Sequence, residues 1–143
     1  MNGIFDTAVN FTNSHSRAMF MKAYHNNELK LSKWAYFYCL NIKDKKSIRK
    51  LIITPKVAYW YCKNIKNRKS IRDRIFQCEY VFYYCKVIDN DHEISKRIHE
   101  PKWAYYYCRD VEFKKEFYCR VKGTEYDYKF KELNPSAFNL FRI

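Results

Sequence analysis

The feature that most constrains the fold of this chain is a segment that occurs four times at a fixed spacing. Each copy is an aromatic heptapeptide that ends in cysteine, and successive cysteines are 23 residues apart. The copies are KWAYFYC (33–39), KVAYWYC (56–62), EYVFYYC (79–85) and KWAYYYC (102–108). A short fixed period with matching apolar positions is typical of repeat proteins, in which each unit packs on the next. The sequence therefore predicts an array of four similar units.

The same register predicts two helices in each unit. In the first copy, the apolar residues of 35–42 recur at i, i+3, i+4 and i+7, which is the spacing of one helix face. A polar turn at 43–45 follows, and a shorter helix is expected from about 46 to 53. The aligned apolar columns are Ala35, Ala58, Val81 and Ala104; Tyr38, Tyr61, Tyr84 and Tyr107; Ile42, Ile65, Ile88 and Val111; Ile48, Ile71, Ile94 and Phe117; and Ile52, Ile75, Ile98 and Val121.

The scarcity of turn residues favours an all-α fold. The chain of 143 residues has two glycines and three prolines, fewer than a sheet of hairpins needs. Pro55 and Pro101 are expected to open two of the long helices, and Ser32 and Asp91 to cap two helices. The predicted fold is a single-domain, right-handed short α-solenoid of helix-turn-helix repeats with N- and C-terminal caps. Its parts are a cap at about 1–30 with a helix over 11–29, four repeats at about 31–123, and a cap at about 124–143 with a hydrophobic tail.

The unit PKWAYYYCRDV (101–111) resembles short helical repeats of uncharacterised bacteriophage and metagenomic proteins, with a P-x-W-A-Y-x-Y-A-x-x-V type core. The resemblance covers about residues 31–121, and this chain has cysteine where alanine is commoner. It implies a helical repeat architecture and a viral origin. It implies no particular activity.

The four periodic cysteines raise the question of a metal centre. One ion would need four thiolates at about 2.3 Å, but equivalent positions on stacked helices are separated by about 8–10 Å. That separation also exceeds the roughly 7 Å Cα limit for a disulfide. We therefore interpret these cysteines as small buried packing residues and expect no metal site. Cys78 and Cys119 lie outside the register and have no evident partner.

No catalytic motif is present in the sequence. The four histidines, His15, His25, His92 and His99, are scattered, and no phosphate-binding glycine loop or zinc-protease motif occurs. An acidic group near His92 is better explained as a turn and a helix start than as a cation site. We expect a non-enzymatic protein without a cofactor.

The net charge of +13 predicts attraction to a polyanion: nucleic acid, an acidic protein face or an anionic membrane. No apolar run reaches the roughly 18 residues that would span a bilayer, and the N-terminus does not resemble a signal peptide. A cytoplasmic protein with reduced thiols and no membrane association is expected.

Two candidate binding surfaces follow from the register. A helical wheel places an aromatic column opposite the core, beside a column of cations. Stacked rings and cations suit a protein hot spot or single-stranded nucleic acid, and packing between repeats is the alternative for the rings. This aromatic stripe comprises Tyr36, Tyr59, Phe82 and Tyr105 with Lys63, Lys86 and Arg109.

The second candidate is a basic strip in the turns and short helices of the first two units. The third unit has Asp89, Asp91 and Glu93 instead, so basic charge is concentrated in the N-terminal half. A functional patch and a solvated face that arose by drift both fit this bias. The basic strip comprises Lys43, Lys45, Lys46, Arg49, Lys50, Lys66, Arg68, Lys69, Arg72 and Arg74.

These observations predict a non-catalytic binding protein. We expect a virus-encoded accessory factor that inhibits or redirects a host protein or defence complex through the two surfaces, the partner having an acidic surface. Direct binding of RNA or DNA by the same surfaces is the alternative.

Overall fold

The computed structural model describes the backbone of residues 14–139 and the side chains of residues 27–139. These residues form helices and turns without a β-strand, so the all-α prediction is confirmed for this part of the chain. The α-helices are α1 Ser14–Asn41, α2 Lys46–Arg49, α3 Pro55–Asn64, α4 Lys69–Arg72, α5 Cys78–Val87, α6 His92–Ser95, α7 Pro101–Asp110, α8 Tyr118–Val121 and α9 Asp127–Leu133, with 3-10 turns at Lys115–Phe117 and Pro135–Phe138.

The long helices α3, α5 and α7 begin at the same position of the repeat, and each has ten residues. As predicted, Pro55 is the first residue of α3 and Pro101 that of α7. Proline is favoured there because it lacks the amide hydrogen that the first turn would leave unbonded. In α1 that position holds Ser32. Neither glycine nor proline interrupts residues 14–41, and from residue 14 onward the helix predicted as an N-terminal cap is continuous with the first long helix.

The prediction that Ser32 caps a helix is therefore wrong, because Ser32 lies inside α1. Its buried hydroxyl instead joins α1 to the segment after α2. Oγ donates to the carbonyl of Leu51 at 3.1 Å and accepts from the amide of Ile53 at 3.0 Å.

Each long helix packs against the long helix of the next unit, and α7 packs against α9. The core between them contains the predicted alanine, cysteine and second isoleucine columns, and the tyrosine column from Tyr61 onward. The column of Ile42 is different: Ile42 is 70% exposed, and its equivalents are partly exposed. These residues follow the last residue of each long helix, so they no longer continue its buried face.

Two kinds of hydrogen bond recur between units. Tyrosine hydroxyls donate to the Asp or Asn side chain 17 residues earlier, from Tyr61 to Asp44 (2.7 Å), Tyr84 to Asn67 (2.9 Å) and Tyr107 to Asn90 (2.7 Å). Arginines bond the carbonyls at the end of the preceding short helix. Arg74 donates to Arg49 and Ile52 (2.7 and 2.6 Å), and Arg97 donates to Arg72 and Ile75 (3.1 and 2.7 Å).

Aromatic side chains pack together in the C-terminal segment. Phe130 on α9 is fully buried, and Phe138 lies 5.9 Å from its ring centroid and 5.0 Å from that of Tyr118. The predicted tail beyond 139, and the start of the N-terminal cap before Ser14, lie outside the described residues. None of the helices within 14–139 has both the length and the apolar character needed to cross a bilayer.

Candidate binding surface

The rings of the aromatic stripe do not form an exposed surface, and of the two interpretations left open by the sequence, packing between repeats is the one that the structure supports. Tyr36 and Tyr59 are 5% and 8% exposed, Phe82 is also buried, and Tyr105 is half-buried. Each ring lies between neighbouring long helices. Tyr36 lies 5.8 Å from Trp60, and Tyr59 lies 6.1 Å from Tyr83. The rings therefore join consecutive units, which leaves little of their faces for a partner.

The cations of that stripe are exposed and lie over its rings. Lys63 is 6.0 Å from the Tyr59 ring, and Lys86 is 5.7 Å from the Phe82 ring. Arg109 lies 5.6 Å from the Tyr105 ring and bonds the carboxylate of Asp110 at 2.8 Å, an ion pair that raises the pKa of the guanidinium. The predicted alternation of cations and rings is present, but as contacts within the protein.

The residue that directly follows each ring of the aromatic stripe is also aromatic, and solvent reaches one edge of the column that these residues form. Phe37 is 50% exposed, and its equivalents Trp60, Tyr83 and Tyr106 are partly exposed. Lysines lie over this edge as well: Lys56 is 5.2 Å from the Trp60 ring. The wheel missed this column because it assigned one buried face to a helix that neighbours cover on several sides.

The basic strip separates into cations with contacts inside the protein, which are its arginines and Lys69, and lysines without an ion pair. Arg49 and Arg68 both bond Asp44, at 3.0 and 3.2 Å, and Arg68 also donates to the Tyr61 hydroxyl at 2.7 Å. Burial would raise the pKa of Asp44, but hydrogen bonds from Tyr61, Arg49 and Arg68 outweigh it and hold this pKa below its usual value. Arg74 donates hydrogen bonds to carbonyls of the preceding unit, and burial lowers the pKa of its guanidinium.

The other carboxylate within 43–74, Asp73, is also paired. Lys69 lies 3.1 Å from it and Arg97 lies 3.5 Å from it. The hydrogen bond from Lys69 is the main reason that the pKa of Asp73 is lowered. Arg72, half-buried, donates to the carbonyl of Asn67 at 3.4 Å. Both carboxylates of this region are thus neutralised by the strip's own cations or by Arg97.

The remaining members of the basic strip are exposed lysines. They have no ion pair or hydrogen bond to a side chain among the described residues, and Lys45 alone of them lies over a ring, 5.9 Å from Tyr38. An ammonium group without a nearby carboxylate keeps its full charge available to an external anion. We call this set the lysine strip: Lys43, Lys45, Lys46, Lys50 and Lys66.

The third unit replaces the strip with acidic residues that have local roles. Asp91 caps α6, as predicted, and its Oδ1 accepts from the amides of Glu93 and Ile94 at 2.8 and 3.1 Å. Glu93 pairs with Lys96 at 3.0 Å. The lysine strip of the first two units therefore does not continue through the equivalent turn of the third unit.

The four periodic cysteines are buried, in agreement with their interpretation as packing residues. Burial raises the pKa of Cys39, and it raises the pKa of Cys62 and Cys108 to about 11 and that of Cys85 to about 12. A thiol with so high a pKa is a poor nucleophile at neutral pH.

Sequence reasoning missed one cluster of side chains. Cys78, His99 and Glu100 come together at the junction of the third and fourth units, with their ligand atoms within 4.8 Å of one another. The signal was present in the register. Where these three residues stand, the preceding unit has Pro55, Phe76 and Gln77.

Comparison with known proteins finds no matching family model, no matching curated protein and no matching solved structure.

Proposed function

We propose that the chain is a non-catalytic binding protein, a short capped α-solenoid whose lysine strip engages an acidic surface of a partner protein. The solenoid is supported by the packing of consecutive long helices and by the recurrence of the tyrosine and arginine contacts at one register. A stack of this kind presents equivalent turns side by side, which suits an extended contact.

The observation that carries the proposal is the charge imbalance of the strip. Asp44 and Asp73 are already paired with other cations, whereas Lys43, Lys46 and Lys66 face solvent and form no ion pair among the described residues. Positive charges on one surface reinforce one another where they lie within about one Debye length, roughly 8 Å at physiological ionic strength. Such a patch accelerates encounter with an acidic partner and discriminates against basic surfaces.

The resemblance of PKWAYYYCRDV to bacteriophage repeats suggests where the partner is found. We propose a bacterial host protein or defence complex, met in the cytoplasm, as the component that this accessory factor inhibits or redirects.

Single-stranded nucleic acid is the second candidate partner, and the partly exposed column of Phe37, Trp60, Tyr83 and Tyr106 favours it. One ring edge per unit, with Lys56 and Lys102 over the rings of Trp60 and Tyr106, offers stacking beside positive charge. Such binding would weaken steeply with salt, because each phosphate contact releases counterions.

A pull-down with two charge-matched variants tests the proposal. The strip variant carries Lys43→Glu, Lys46→Glu and Lys66→Glu, and the control variant carries Lys115→Glu, Lys122→Glu and Lys129→Glu, all at exposed positions. Both variants have the same net charge. The bait is incubated with a nuclease-treated bacterial extract, so that nucleic acid cannot bridge it to other proteins.

We expect proteins that the wild type and the control variant retain and the strip variant loses. Retention of the same proteins by all three baits, or of none by the wild type, would contradict the proposal. A mobility shift of a single-stranded oligonucleotide by the wild type at low salt, with no protein captured, would favour the second candidate.

A further inference from the structure

Cys78, His99 and Glu100 form a compact group of metal-ligating side chains that two helices hold in place. Cys78 is the first residue of α5, and Glu100 directly precedes α7 with His99 beside it. Sγ of Cys78 lies 3.4 Å from Nδ1 of His99, and all three ligand atoms lie within 4.8 Å of one another. Cys78 is buried and the other two residues are exposed, so solvent and ions reach the group from the side of His99 and Glu100.

We propose that this group is a Zn²⁺ site with one coordination position left open. Zinc in proteins is bound by thiolate, imidazole and carboxylate ligands at about 2.0–2.3 Å, in tetrahedral geometry. Sulfur and nitrogen ligands at those distances are about 3.5 Å apart, which the separation of Cys78 and His99 already matches. Glu100 lies on the exposed side, where its carboxylate has room to approach the ion.

A cavity of about 370 Å³ opens beside the group and provides space for the ion and its remaining ligand. Glu79, Phe76 and Trp103 line it together with the three ligands. Because Glu79 lines the same cavity, its carboxylate adds negative charge near the ion.

The repeat contains an internal comparison for the cysteine. Ser32 occupies the position of Cys78 in the first unit, and its Oγ accepts the amide hydrogen of Ile53 at 3.0 Å. Sγ of Cys78 accepts the corresponding amide hydrogen of His99 at 3.4 Å. That structural role requires only a hydroxyl, so it does not explain why thiol, imidazole and carboxylate coincide at this one junction.

Zinc binding would move the ring proton of His99 to its other nitrogen and would remove the thiol proton of Cys78. Nδ1 of His99 also lies 3.2 Å from the carbonyl of Arg97, a contact that requires a proton on Nδ1. To bind zinc, Nδ1 presents its lone pair, the ring proton sits on Nε2, and Cys78 releases its thiol proton to solvent.

Two titrations of the reduced chain test the site. Binding of Zn²⁺ is measured by calorimetry, and binding of Co²⁺ is measured by absorption spectroscopy. We expect one zinc per chain and a thiolate-to-cobalt charge-transfer band. Cys78→Ser preserves the hydrogen bond seen at Ser32, and His99→Phe introduces the residue of the preceding unit. Each should weaken zinc binding by more than about 100-fold, because loss of a ligand should exceed the effect of losing an outer-shell partner. Cys78→Ser should also abolish the band.

Cys119→Ser is the matched control, because it removes the exposed thiol and should leave both signals unchanged. If Cys78→Ser fails to fold, His99→Phe and Glu100→Gln carry the test, and Glu100→Gln is expected to weaken binding as well. The proposal is overturned if the wild type binds no stoichiometric zinc, or if His99→Phe binds it as tightly as the wild type. Loss of the cobalt band in Cys119→Ser would also overturn it.

Discussion

The hydroxyl of Tyr61 donates a hydrogen bond of 2.7 Å to Oδ2 of Asp44, which belongs to the preceding unit. The equivalent bond from Tyr84 goes to a neutral acceptor, Asn67. Burial is the largest cause and this hydrogen bond to Asp44 the next, and they raise the pKa of Tyr61 to about 12. One geometry thus joins the units, while the charge of the acceptor changes along the array.

That difference predicts unequal costs for removing the two hydroxyls. Tyr61→Phe should lower the free energy of unfolding by about 1.5–3 kcal/mol, the range for a hydrogen bond to a charged group. Tyr84→Phe should lower it by about 0.5–1.5 kcal/mol, because its acceptor is neutral and exposed. Urea denaturation followed by circular dichroism measures both. A larger loss for Tyr84→Phe would contradict this explanation.

Asp44 predicts a specific dependence of stability on pH. Its pKa is lower in the folded protein than in the unfolded chain, so its ionisation stabilises the fold above the unfolded value of about 3.9. That contribution is lost as the pH falls through the lower folded pKa. Between about pH 5 and pH 3, the wild type should lose more stability than Asp44→Asn. Parallel pH profiles for the two proteins in urea denaturation would show that Asp44 has no such role.

The arginine contacts between short helices predict a second structural effect. Arg74→Ala removes two hydrogen bonds to the carbonyls of Arg49 and Ile52 and should lower the free energy of unfolding by about 2 kcal/mol. Lys50→Ala, on the exposed lysine strip, should change it by less than about 0.5 kcal/mol. Thermal and urea denaturation of both variants make the comparison. Equal stability of the two variants would argue against a structural role for Arg74.

The thiols should differ sharply in reactivity. Five of the six cysteines are buried, and burial raises the pKa of Cys85 to about 12, so little reactive thiolate forms at pH 8. Titration of the native protein with a thiol-specific disulfide reagent should show one fast thiol, and the denatured protein should show six. Cys119→Ser should remove the fast phase. Several fast thiols in that variant would mean that the packing of the cysteine column is wrong.

Cys62 and Tyr59 show which burial could be predicted from the sequence and which could not. The 23-residue register correctly placed Cys62 in the core, because every unit repeats the same apolar positions. It placed Tyr59 outside, because a single helical wheel cannot include the neighbouring helix that covers the opposite side. Prediction from one helix therefore failed where packing between units decides burial.

The distribution of charge along the chain was easier to predict than the pairing of individual side chains. The concentration of basic residues before residue 75 follows from the sequence. The pairing of Arg49 and Arg68 with Asp44 does not, because it joins residues of different units through side-chain geometry. For the same reason Cys78 and His99, 21 residues apart in the chain, could not be connected by a local motif.

The most direct test of the central claim, that the lysine strip is the charged binding surface, is elution from a heparin column in a salt gradient. Heparin serves as a generic polyanion. The strip variant (Lys43→Glu, Lys46→Glu and Lys66→Glu) and the control variant (Lys115→Glu, Lys122→Glu and Lys129→Glu) carry the same net charge. A local surface predicts that the strip variant elutes at clearly lower salt than the control, and the control close to the wild type. Elution of both variants at the same salt concentration would contradict the claim, because net charge alone would then explain the binding.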